Sequence, residues 1–149
     1  MKKNIIFICF LCVYIIFCYA YNFNNYFCSF MDGAEPIVTP LNTVCSLVLC
    51  SLFIASIFIL KEKYIKFVMM YFSIITIGTL FIVFFYLLPD NSISSILYIP
   101  ILLYALVFYV PFDGLNYIPN FSYLWLLMFF LILLVITKVK IHRNNKRNW

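Results

Sequence analysis

The sequence predicts an all-α, polytopic membrane protein: four to five hydrophobic helices with short loops, forming a single integral membrane domain over 1–149. Three observations predict this. Hydrophobic residues make up 66% of the chain and charged residues 10%, with a mean hydropathy of +1.08, against roughly 45–50% and 25% in soluble domains. A soluble fold of this size hides only about 70% of its chain surface, so the excess would form aggregating patches unless lipid covered it. The apolar residues also come in runs of bilayer length, and the charges are grouped between those runs.

Runs at approximately 4–20, 37–60, 65–88, 93–112 and 121–137 match the ~20 residues of helix that cross a ~30 Å hydrocarbon core. Helix is expected because backbone groups in lipid must be satisfied within their own segment or in a closed barrel. The runs are too long and too uniformly apolar for barrel strands.

The first run follows Lys2 and Lys3 and ends at Ala20, the layout of a secretory signal peptide. The large Tyr19 and Cys18 make a poor cleavage site, so a retained first span is favoured, with cleavage as the alternative. The polar interval that follows, NFNNYFCSFMDGAEPIVTP, collects Phe23, Tyr26, Phe27 and Phe30 beside Tyr19 and Tyr21. An aromatic belt on an interfacial loop is expected there, with Gly33 and Pro36 as turn residues. The second and third runs are joined by the basic turn LKEKYIK. Pro100 interrupts the fourth run and Pro111, with Asp113 and Gly114, ends it; proline removes a backbone donor and breaks or kinks a helix. Trp125 opens the fifth run as an interfacial anchor, and a basic tail, 138–149, closes the chain.

Lys and Arg occur only in three places: Lys2 and Lys3; Lys61, Lys63 and Lys66; and Lys138, Lys140, Arg143, Lys146 and Arg147. Short basic loops stay cytoplasmic, which places the N-terminus and the LKEKYIK turn inside. Five plain spans would then push the tail outside and bring Asp113 in. One crossing fewer, with 93–112 entering and leaving the outer leaflet, would keep every Lys and Arg inside. The charge pattern favours the second topology and the lengths of the runs favour the first.

Thr39, Thr43, Ser46 and Cys50 recur at helical spacing in the second run, and Ser73, Thr76, Gly78 and Thr79 fall in the third. Small, weakly polar residues let membrane helices approach closely, so these two sets are expected to form a seam between helices two and three. The five cations of the tail are expected to bind anionic headgroups.

Reaction chemistry finds little purchase. Transporters of ions or protons keep charged residues within their spans, whereas Asp90 and Asp113 lie at run ends. Cys9 and Cys12 have the spacing of a thiol redox pair but fall inside an apolar helix, where cysteine behaves as a small hydrophobe. Asp90 and Asp113 could pair as aspartyl carboxylates do, yet turn chemistry accounts for both. No cofactor, metal or nucleic acid is expected; the partners expected are the lipid bilayer and another membrane protein. The leading expectation is a small non-enzymatic protein of the immunity, exclusion or assembly-factor kind, acting by helix–helix contact in a plasma or bacterial inner membrane. A transporter or channel subunit is the alternative, and a thiol- or aspartate-dependent membrane enzyme a distant third.

Overall fold

The computed structural model describes residues 2–32, 39–86, 100, 103–104, 106–118 and 121–147. It is an all-α membrane protein, with no strand among the described residues. The long helices are α1 (Lys2–Asp32), α2 (Pro40–Ile59), α3 (Glu62–Tyr86) and α4 (Tyr123–Arg147), with a 3-10 helix, Val110–Tyr117, before α4. Among the described residues, four helices are long and apolar enough to cross a membrane.

Helix α1 continues well past the first run. The interval expected as an interfacial loop is helical through Asp32, because residues 2–32 contain neither Gly nor Pro and the rings at i, i+4 stack on one another. Tyr19 meets Phe23, and Phe23 meets Phe27, each with centroids 5.6 Å apart. The expected turn residues Gly33 and Pro36 lie outside the described residues. Helix α2 starts at a capping box: Thr39 N–H donates to Asn42 Oδ1 at 3.0 Å, and Asn42 N–H returns to Thr39 Oγ1 at 3.5 Å. Pro40 in the first turn has no N–H to lose. At 20 residues, α2 is about 30 Å long, one hydrocarbon thickness. Helix α4 carries the basic tail in helical form to Arg147.

Contacts along α1 and α2 make them antiparallel: Tyr14 Oη donates to Cys45 O at 3.3 Å and Asn42 Nδ2 to Asn22 Oδ1 at 2.8 Å. Helix α3 packs chiefly on α4, and the 3-10 helix wedges against α1 and α2. Four fully buried phenylalanines from four elements meet at the centre. Phe53 (α2) lies 5.3 Å from Phe72 (α3), 6.1 Å from Phe130 (α4) and 6.2 Å from Phe112 of the 3-10 helix. Phe112 also meets Phe130 edge-on at 5.4 Å. Lipid tails are as apolar as these rings, so packing rather than hydrophobic transfer holds the helices together; each aromatic pair adds about 0.5–1.5 kcal/mol.

The fourth run does not cross in its described part. Tyr104 Oη donates to Ile75 O at 3.0 Å and the Phe108 ring lies tilted against Tyr71 at 6.3 Å, so the chain from Tyr104 to Phe108 runs along α3 toward its N-terminal half. The chain turns at Tyr109, whose carbonyl accepts from Phe112 N–H at 2.8 Å. It then climbs α2, with Pro111 beside Ser46 and Gly114 beside Asn42. Residues 106–117 therefore turn back within the bundle as a hairpin between the long helices. Pro111 lies in the first turn of the returning 3-10 helix; Pro100 is helical and exposed, and residues 87–99 lie outside the described residues.

Candidate functional site

Two ends of the bundle carry the polar chemistry. At one end the hairpin brings bare backbone carbonyls between α1 and α2, and these need donors, since an unpaired carbonyl in a low-dielectric interior costs several kcal/mol. The donors come from side chains. Pro111 O accepts from Ser46 Oγ at 3.0 Å and from Asn22 Nδ2 at 3.2 Å. Gly114 O accepts from Thr43 Oγ1 at 2.8 Å. Asn42 joins the network to the start of α2, donating to Asn22 while accepting from Thr39. Asn22, Asn42, Thr43 and Ser46 are all buried.

The expected seam between helices two and three therefore does not form where the sequence pattern placed it. Thr39 caps its own helix, Thr43 and Ser46 face the 3-10 helix, and Cys50 is half-buried. On α3 the hydroxyls bond within their own helix: Ser73 to Met69 O, Thr76 to Phe72 O and Thr79 to Ile75 O, at 3.0, 2.8 and 2.7 Å. Gly78 makes room for the Tyr104 ring, which would lie 1.8 Å from a Cβ at that position. Helices α2 and α3 meet instead through Phe53 against Tyr71 and Phe72. Spacing puts small residues on one face but does not say which neighbour uses that face; here the orphan carbonyls of the hairpin claimed the face on α2.

Asp113 sits within the 3-10 helix at 4% exposure, its Oδ1 accepting from Asn116 Nδ2 at 2.9 Å. Burial pushes its carboxyl up to about 6, and the Asn116 hydrogen bond offsets part of that. Asp90, its expected companion, lies outside the described residues.

The opposite end is basic. Lys140 Nζ donates to Leu60 O at 3.2 Å and also contacts the carbonyls of Ile57 and Phe58. Those carbonyls are the unpaired C-terminal groups of α2, where a cation also meets the negative end of the helix dipole. The contact places the end of α4 beside Lys61 and the first turn of α3, which carries Lys63 and Lys66. Because α1 runs antiparallel to α2, Lys2 and Lys3 lie at this end too, so all three basic groups come together. Lys138 and Arg143 are exposed; the side chains of Lys146 and Arg147 lie outside the described residues. Lys66 pairs with Glu62 at 3.4 Å across one turn.

Asn22, Tyr104 and the capping role of Lys140 were missed in the sequence. For Asn22 a signal existed: the buried positions of α1, Asn4, Leu11, Cys18 and Asn22, fall at intervals of seven, seven and four, one helical stripe that becomes visible once α1 is carried past Ala20. Cys9 and Cys12 are exposed, while Cys18 and Cys45 are buried, all as free thiols. No group of three metal-ligating side chains comes together among the described residues. Comparison with protein-family models, with characterised proteins and with solved structures finds no match.

Proposed function

We propose that this is a non-enzymatic integral membrane protein that acts by helix–helix contact with another membrane protein, in the manner of immunity, exclusion or assembly factors. The observation that carries this proposal is how the polar side chains of the spans are used. Asn22, Asn42, Thr43 and Ser46 serve the hairpin, and Thr76, Thr79 and Thr137 bond their own helices. What faces outward is apolar and aromatic, most of all on α1, the least covered of the four helices. Along it Phe10, Phe17 and Tyr21 are exposed, and half-buried Tyr14 links them into a ladder with centroids 6.0–6.2 Å apart. A rigid aromatic face of this kind is suited to recognising another helix by shape.

The joined basic ends support a cytoplasmic location for both termini in a plasma or bacterial inner membrane. Photo-crosslinkers placed at Phe10, Val13 or Phe17 on α1, and at Ile132 on α4 as a control, test the contact in native membranes. A discrete protein adduct from the α1 positions alone is expected. Equal lipid-only labelling from both helices would refute the proposal.

A further inference from the structure

Helix α1 leans on α2 and the 3-10 helix, leaving its N-terminal half apart from α3. Between them runs a half-enclosed groove of about 290 Å³, walled by Ile8, Leu11 and Ile15 of α1 and by Phe67 and Met70 of α3, with Phe53 of α2 as its floor. Its lining is almost wholly apolar. At its basic end the chemistry changes within one turn. Lys63 precedes Phe67 by four residues and Lys66 precedes Met70 by four, so each ammonium stands one helical turn beyond a groove residue, on the same face. Both lysines are exposed, and Asn4 holds the matching place on α1, four before Ile8.

We propose that the groove holds one acyl chain of an anionic phospholipid from the surrounding bilayer, with the headgroup phosphate on Lys63 and Lys66. The length of the groove is satisfied by a hydrocarbon chain, and the charge at its end selects the headgroup. Lysine stems lie along apolar surface while their ammonium groups reach the headgroup layer, and basic pockets between membrane helices bind anionic headgroups. The tail on α4 lies at the same end of the bundle, but none of its residues lines the groove, and the proposal rests only on the membrane placement of α1 and α3.

Each cation near an anionic surface is worth roughly fivefold in affinity. Two lysines, with Glu62 offsetting part of Lys66, therefore give an expected preference of about tenfold for anionic over zwitterionic lipid. The test is native mass spectrometry of the delipidated full chain in detergent, titrated with an equal mixture of dioleoyl phosphatidylglycerol and dioleoyl phosphatidylcholine. The wild type should retain one lipid, with phosphatidylglycerol favoured about tenfold. Lys63→Gln with Lys66→Gln should lower the preference several-fold and leave a lipid bound. Met70→Trp, at a residue 55% exposed and so outside the core, should fill the groove and lower retention of both lipids, whereas Ile132→Trp on α4 should not. Unchanged retention in Met70→Trp, or an unchanged preference in the double lysine variant, overturns the site. Loss of a self-associated species in Met70→Trp with lipid retention intact would mean that a second copy, not a lipid, occupies the groove.

Discussion

Asp113→Asn isolates the cost of a buried carboxylate at the hairpin. The carboxyl rises from 3.8 to about 6 on folding because it is buried, and its folded form therefore binds a proton more tightly than its unfolded form. The stabilisation is complete below about pH 4, falls as pH rises toward 6, and is lost above that. A rise of about 2 in pKa corresponds to roughly 3 kcal/mol between the two limits. Asparagine has the same shape, keeps an oxygen to accept from Asn116 Nδ2, and carries no charge. At pH 8 the variant should be more stable than the wild type by up to about 3 kcal/mol, or roughly 6–12 °C in Tm for a chain of this length. At pH 4 the two should coincide. Thermal unfolding in detergent, followed through the emission of Trp125 and Trp149 at pH 4, 6 and 8, measures both. A variant less stable than the wild type at pH 8, or a difference that does not change with pH, would refute the assignment of Asp113 as a strained buried acid.

Gly114→Ala would put a Cβ 2.1 Å from the Asn42 carbonyl oxygen, a backbone atom that cannot swing aside; a loss of about 3 kcal/mol or more in stability, or failure to accumulate, is expected in a thermal melt and an expression assay. The nearest atoms to a Cβ at Gly78 belong to the movable ring of Tyr104, so Gly78→Ala should cost about 1 kcal/mol by breaking the Tyr104 bonds to Ile74 and Ile75. Tyr104→Phe should cost a similar amount, and the double variant less than the sum in a double-mutant cycle. Lys140→Met uncovers the carbonyls at the end of α2 and should cost about 2 kcal/mol in the same melts, with Lys140→Arg recovering part of it. Dual topology reporters fused at Asn116 and after Arg147 should report opposite sides, the second shared with a reporter in the Lys61–Lys66 turn; Asn116 on the side of that turn would contradict the re-entrant hairpin.

Composition alone determined the class, because 66% hydrophobic residues leave no soluble alternative. Run lengths located α2, α3 and the apolar part of α4, and the three basic groups already carried the relative placement of the ends, since the cost of translocating Lys and Arg is local to each loop. Pro111 marked the start of the 3-10 helix on which the chain turns back. Which face meets which neighbour was decided only by the tertiary structure. In lipid an apolar face gains little by leaving hydrocarbon for another helix, so hydropathy carries almost no information about partners. Pairing is set by close packing and by hydrogen bonds between distant residues: Asn22 answers a carbonyl at Pro111, 89 residues away. The stripe of Thr43 and Ser46 was legible as small and polar, but its use as donors to the hairpin was not, because the carbonyls it serves reach it only once the 3-10 helix has packed between α1 and α2.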